Sequence, residues 1–175
     1  MTKAKLAATL VGLVLAGSHA AWAGTPPPTP AAAPRPAENA GAYDKLKGLE
    51  GNWKAETPKG LVLLSFRVVG QGGAVLETVT MPDKSTWISV YTVEAGEVWA
   101  THYSAACQVR LKGKLDGNAL QFAQNAVLNG GAGGGPALQA SAFTFKDTDH
   151  LEQEWQVGSD KVTRHFTREY VDTLK

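Results

Sequence analysis

The side chains best suited to binding or catalysis lie near the middle of the sequence, on stretches whose apolar and polar residues alternate. His102 shares one face of such a stretch with Val98 and Ala100, because successive side chains of a strand point to opposite sides. An inward imidazole could hydrogen-bond a small molecule, act as an acid or base, or ligate haem iron. A core histidine satisfied by a neighbouring hydroxyl or carboxylate is the purely structural interpretation.

Four further polar residues are candidates for the same site. They are Tyr103, Gln108, Arg110 and Glu77. Glu77 stands between two valines on one strand face, so an inward Glu77 would need a partner, for which Arg110 is a candidate. An outward Glu77 would be an ordinary solvated acid. Together with His102, these residues are the predicted polar groups that orient a ligand in a cavity.

The sequence gives no positive indication of a particular enzyme or metal site. It contains no nucleophile elbow, H-E-x-x-H, Walker loop, S-x-x-K or EF-hand loop. Its histidines lack the spacing of zinc ligands. The single cysteine, Cys107, has no partner for an internal disulfide and is expected to be a buried, inert thiol. We therefore predict no catalytic residue and no metal ligand.

These candidates lie within a regular series of short alternating stretches. The predicted strands are 52–56, 61–69, 74–80, 86–93, 97–103, 107–114, 119–125, 140–146, 150–157 and 161–169. Turn-forming residues separate them, and Asp116-Gly117 is the strongest hairpin signal. A meander of this length exposes its edges unless it closes. The pattern predicts an all-β fold, a single closed antiparallel up-and-down barrel of about ten strands.

Two other features follow from the same pattern. Residues 39–50 predict a short N-terminal helix, with Tyr43, Leu46 and Leu49 at helical spacing. The side chains of an eight-stranded barrel just fill its interior. A barrel of about ten strands encloses more space, so a cavity is expected. The Gly-rich segment 129–136 is expected to be a loop at the barrel rim, because a phosphate-binding loop would lead into a helix and none follows here.

The N-terminal region predicts export. Lys3 and Lys5 precede an apolar run of eleven residues at 6–16, whereas a membrane-spanning helix needs about 20. Ala21-Trp22-Ala23 then forms a cleavage site for signal peptidase. We therefore assign residues 1–23 to a signal peptide, 24–42 to a disordered Pro/Ala-rich linker and 43–175 to the barrel. The predicted location is periplasmic or secreted.

The charge balance excludes one class of partner. Without Lys3 and Lys5 the remaining chain has 15 basic and 16 acidic residues. Such a nearly neutral domain has no electrostatic reason to bind nucleic acid. No transmembrane segment is expected after processing, and the oligomeric state is left open.

Leu49-Glu50-Gly51-Asn52-Trp53 resembles the G-x-W element of the lipocalin/calycin superfamily, placed between a short helix and the first strand. The resemblance implies that Trp53 plugs one end of the barrel. It also implies that an arginine from a late strand packs across the Trp53 ring. Arg168 is our choice for this structural role, with Arg164 as the alternative.

A second resemblance covers most of residues 43–170. Thr101-His102-Tyr103, Gln108-x-Arg110 and Phe143-x-Phe145-x-Asp147 are similar to segments of uncharacterised bacterial secreted proteins with a lipocalin-like barrel. The sequence departs from that pattern at Ser104, where cysteine is frequent, and at Val109, where proline is frequent. This resemblance supports the fold more than a function.

These observations favour an exported barrel that binds a small, largely apolar molecule. One alternative is an enzyme that acts on such a molecule with His102 as acid or base. The other is a haem-binding protein in which His102 ligates the iron. The identity of the ligand is not determined by the sequence.

Overall fold

The computed structural model describes residues 37–130 and 135–170. The proposed signal peptide, residues 24–36 of the proposed linker and residues 131–134 of the Gly-rich segment lie outside the described residues.

The helix α1 spans Ala37–Gly48 and covers one end of the fold. It begins inside the range that we assigned to the linker, because its apolar residues find a core to contact. Those buried residues are Ala42, Tyr43, Leu46 and, just after the helix, Leu49. The Tyr43 hydroxyl donates a hydrogen bond to the Gly72 carbonyl over 3.1 Å, which ties α1 to the connection after the second strand.

Ten antiparallel strands form a closed barrel, as the sequence predicts. They are β1 (Gly51–Thr57), β2 (Gly60–Val69), β3 (Ala74–Thr80), β4 (Thr86–Glu94), β5 (Glu97–Tyr103), β6 (Cys107–Asp116), β7 (Ala119–Gly130), β8 (Leu138–Phe145), β9 (His150–Val157) and β10 (Asp160–Glu169). Each strand pairs with its neighbours in sequence, and β1 pairs with β10. The up-and-down topology is confirmed.

Strand β7 continues through Gly130, five residues beyond the predicted strand. Its last residues pair with the start of β6, where Cys107 lies opposite Gly130 and Gln108 opposite Asn129. Two register shifts in β6 accommodate the longer partner. Cross-strand pairing therefore overrides the weak strand propensity of the Asn and Gly residues.

The seam that closes the barrel is short. Strands β1 and β10 pair at three positions, of which Trp53 opposite Arg168 is the central one. The second half of β1 pairs with β2 alone. The two seam strands therefore part toward the end of the barrel that lies opposite α1.

Large aromatic side chains fill the middle of the barrel. The ring of Tyr91 lies 5.2 Å from Phe122 and 5.9 Å from Phe143 between centroids, and Phe66 lies 5.7 Å from Phe143. These rings are almost completely buried. The expectation of extra interior space is therefore met only near one end of the barrel, because aromatic residues occupy the central layer.

Trp53 and Arg168 adopt the arrangement that the resemblance implies. Trp53 is buried, and its indole nitrogen donates a hydrogen bond to the Leu49 carbonyl over 2.9 Å. The guanidinium carbon of Arg168 lies 4.1 Å from the centroid of the Trp53 ring. Arg164 lies instead over Trp155, 4.5 Å from that ring centroid.

Candidate functional site

A cavity of about 390 Å³ lies at the end of the barrel opposite α1, and we call it the rim cavity. Its apolar wall consists of Trp87, Ala105, Ala106, Pro136, Leu138, Trp155, Val157 and Val162. Its polar residues are His102, Ser104, Asp160 and Arg164. The volume and the mixture of apolar wall and few polar groups are typical of small-molecule sites.

Two indoles form the centre of the wall. The rings of Trp87 and Trp155 stand nearly perpendicular, with 5.9 Å between centroids and 82° between planes. Trp155 is buried on the inward face of β9, and Trp87 is the first inward-facing residue of β4. Edge-to-face packing holds both rings in the wall of the cavity.

His102 brings an imidazole to this wall. It is 5% exposed, and its ring lies 6.1 Å from that of Trp87 between centroids. Its Nδ1 lies 3.2 Å from the Ser89 hydroxyl. Burial lowers the pKa of His102 from 6.5 to about 4, so the ring is neutral at neutral pH.

Behind His102 a row of polar residues crosses three strands. Glu77 of β3 lies opposite Ser89 of β4, which in turn lies opposite His102 of β5. Glu77 accepts hydrogen bonds from the Tyr91 hydroxyl over 2.6 Å and from the Gln153 amide nitrogen over 2.5 Å. Burial raises the pKa of Glu77, and these hydrogen bonds oppose that rise without cancelling it.

His102 joins this row to the rim cavity. Its Nδ1 pairs with the Ser89 hydroxyl, and its ring lines the cavity. A neutral imidazole has one donor nitrogen and one acceptor nitrogen, so His102 can share a hydrogen bond with a bound molecule.

Arg164 lies at the mouth of the rim cavity. Together with Val162, it also borders a second depression between β1 and β10. Its guanidinium stacks on Trp155. The Nη1 atom is shut off from solvent and has no hydrogen-bond partner among the described residues. Partial burial lowers the pKa of Arg164.

The structure brings two of the five predicted ligand-orienting residues to this region. His102 lines the cavity. Glu77 is buried and points inward, so it is not the solvated acid that the sequence also allowed. The suggested pairing of Glu77 with Arg110 is wrong, since Arg110 forms an ion pair with Glu94 and lies over Trp99. Glu77 is satisfied by Tyr91 and Gln153 instead.

The other three predicted residues lie on the outer face. Tyr103 is 43% exposed. Gln108 accepts a hydrogen bond from Asn129, and Arg110 alternates with the buried Val109 and Leu111 of β6. None of Tyr103, Gln108 and Arg110 lines the rim cavity, because the inward face of β6 is the opposite one.

Several residues of this region were missed at the level of sequence. They are the polar residues Ser89, Tyr91, Gln153 and Arg164 and the wall residues Trp87 and Trp155. Strand alternation places Ser89 on the same face as Tyr91. Alternation alone could not have identified the row of Glu77, Ser89 and His102, because that also requires the registers of β3, β4 and β5.

Comparison with known protein families finds no match for this chain. A search of curated proteins also finds no match.

Within residues 37–130 and 135–170, no three or more His, Cys, Asp or Glu side chains are grouped as a metal site would require. In the same ranges, no helix has the length and apolar character to cross a membrane.

Proposed function

We propose that this protein is an exported member of the lipocalin/calycin superfamily that binds a small, largely apolar molecule in the rim cavity. The observation that carries the proposal is the cavity itself, about 390 Å³ in volume and walled by two fixed indoles. A preformed apolar pocket with few polar groups is the usual form of a small-molecule site.

The contrast with the rest of the interior supports this proposal. The middle of the barrel is packed with aromatic rings, and the rim cavity lies beyond them at the end opposite α1. A ligand that covers the half-buried Trp87 and the exposed Val162 would remove apolar surface from water, worth about 25 cal/mol for each Å². The neutral His102 adds polarity to the wall without a buried charge.

Membership of the superfamily has separate support. The closed antiparallel barrel, the helix before β1 and the stacking of Arg168 on Trp53 agree with the arrangement that the resemblance implies. Export is supported by the predicted signal peptide alone.

A substitution that blocks the mouth of the rim cavity tests whether the cavity is the binding site. Val162 lines the rim cavity and is 42% exposed, so Val162→Trp can fill the entrance with little effect on folding. A neutral fluorescent naphthylamine dye should bind the unaltered protein, and Val162→Trp should weaken that binding by about tenfold or more. Val127→Trp, at an exposed position outside the rim cavity, is the matched control and should bind the dye normally. Equal binding by all three proteins would place the dye elsewhere and contradict the proposal.

An enzyme is the second candidate, and the row from Glu77 through Ser89 to His102 favours it. Such a row can hold the His102 ring in place while the ring exchanges a proton with a bound substrate. Turnover that His102→Gln abolishes while dye binding persists would support this candidate. The haem alternative has only the position of His102 in its favour, and we do not propose it.

A further inference from the structure

Arg164 lines the rim cavity, and its positive charge has no acidic partner among the described residues. None of the ion pairs among the described residues includes it. Its Nη1 atom is sealed from solvent without a hydrogen bond. A buried donor without a partner costs free energy in the folded protein, and the cost is larger for a charged group.

Two other arginines in the same chain show the usual solution. Arg110 stacks on Trp99, 4.6 Å from the ring centroid, and forms an ion pair with Glu94. Arg168 stacks on Trp53 and donates hydrogen bonds to three backbone carbonyls. Arg164 also stacks on a ring, but it has no such oxygen partner within the part of the chain that the structure describes. The missing partner is therefore an oxygen acceptor, and a negatively charged one fits best.

We propose that the ligand is an aromatic monocarboxylate whose carboxylate pairs with Arg164 and whose ring packs against Trp87 and Trp155. This inference rests on the proposed function and specifies the chemical class of its ligand. A carboxylate matches the fork of the guanidinium with two parallel hydrogen bonds.

The charge of the ligand follows from the other groups at the mouth. Arg164 is the one cation among the described residues that line the rim cavity, and Asp160 lies on the same rim. A second negative charge on the ligand would have no cation to meet and would face Asp160. One carboxylate is therefore favoured over a phosphate or a dicarboxylate.

The rings and His102 define the rest of the ligand. The two indoles in the cavity wall can pack against a third aromatic ring, which favours a planar aromatic body. The His102 ring is neutral and lines the same cavity, so it supplies no positive charge for a carboxylate. Arg164 is therefore the group that meets the carboxylate.

The test compares two ligands of nearly the same shape, a naphthalene carboxylate and the corresponding carboxamide, by titration calorimetry. The unaltered protein should bind the carboxylate about tenfold or more tightly than the amide, because the hydrogen bonds to Arg164 are charge-assisted. Arg164→Gln should remove that preference by weakening carboxylate binding far more than amide binding. Arg110→Gln, which alters an arginine stacked on an outer tryptophan, is the matched control and should keep the preference.

Each outcome has a defined meaning. Equal binding of both ligands to the unaltered protein would overturn the carboxylate inference and leave the proposed function intact. A preference that survives Arg164→Gln would overturn the role of Arg164. Tighter binding of decanoate than of the naphthalene carboxylate would overturn the aromatic class. Failure of the dye, the carboxylate and the amide to bind would overturn the proposed function as well.

Discussion

The charge states of single residues in the polar row depend on burial. His102 is neutral because a buried imidazolium would lose its hydration, which brings the pKa to about 4. Burial acts on Glu77 in the opposite sense and raises the pKa of its carboxyl. His102 thus opposes folding when it must be protonated, and Glu77 opposes folding when it must be ionised. The two residues give stability profiles of opposite slope.

Replacement of His102 isolates one of these slopes. The folded pKa of about 4 lies below the ordinary 6.5, so the stability from neutral His102 is present above 6.5 and is lost as the pH falls toward 4. The free energy of unfolding should therefore fall, relative to that of His102→Gln, by about 2–3 kcal/mol between neutral pH and pH about 4. Urea denaturation of both proteins across this range measures the difference. Parallel stability curves would contradict the assigned charge state of His102.

At the scale of elements, Arg168 joins parts of the chain that are distant in sequence. Its guanidinium donates hydrogen bonds to the carbonyls of Gly48, Glu50 and Thr148, over 3.0, 2.7 and 3.0 Å. The end of α1, the start of β1 and the turn before β9 are thereby tied to β10. Gly51 permits this contact, since its φ is +138° and an added Cβ would lie 2.9 Å from Nη1 of Arg168. The short seam is reinforced where α1 covers the barrel.

Methionine substitutions should separate this bonding from ring stacking. Arg168→Met keeps an apolar stem near Trp53 but removes three charge-assisted hydrogen bonds, and it should lower the free energy of unfolding by about 2–3 kcal/mol. Arg164→Met removes a guanidinium that stacks on Trp155 without hydrogen bonds in the described residues, so its effect should stay within about 0.5 kcal/mol. Equilibrium unfolding in denaturant provides both values. Equal losses would mean that stacking, rather than the bonds to the carbonyls, stabilises the seam.

At the scale of the whole molecule, the two ends of the barrel have different tasks. One end is covered by α1 and stabilised by Trp53 and Arg168. The other end contains the rim cavity, where β1 and β10 have parted. With one cysteine there is no internal disulfide, so the aromatic layer between the ends must supply the stability. Ligand binding and stability are therefore assigned to opposite ends.

The proposed export concerns the chain as a whole. Expressed in a bacterium that has a periplasm, the protein should be recovered there with Gly24 as its first residue, because Ala21 and Ala23 suit signal peptidase. Ala23→Leu should prevent this cleavage, since the site requires small side chains. N-terminal sequencing of both proteins gives the answer. A periplasmic protein that begins at Met1, or a protein retained in the cytoplasm, would contradict the proposed leader.

The sequence alone determined those properties that depend on neighbours along the chain. Alternation and turn residues predicted ten strands, and the exposed edges of an open meander predicted closure. The resemblance carried by Gly51-x-Trp53 implied an arginine over Trp53, and closure of the barrel, which brings the last strand beside the first, directed the choice to Arg168. Local patterns suffice for these features, since strand propensity, turn geometry and closure require no knowledge of the register.

The tertiary structure alone decided which faces point inward and which side chains meet. Both faces of β2 are apolar, yet Leu61 and Leu63 are exposed at 45% and 41%. Alternation gives the relative orientation of side chains, whereas the absolute orientation depends on how every strand is registered against its neighbours. Glu77 meets Ser89 and His102 only because of the registers of β3, β4 and β5. Arg164 reaches the mouth because β10 leaves β1 there, which no local pattern in the sequence specifies.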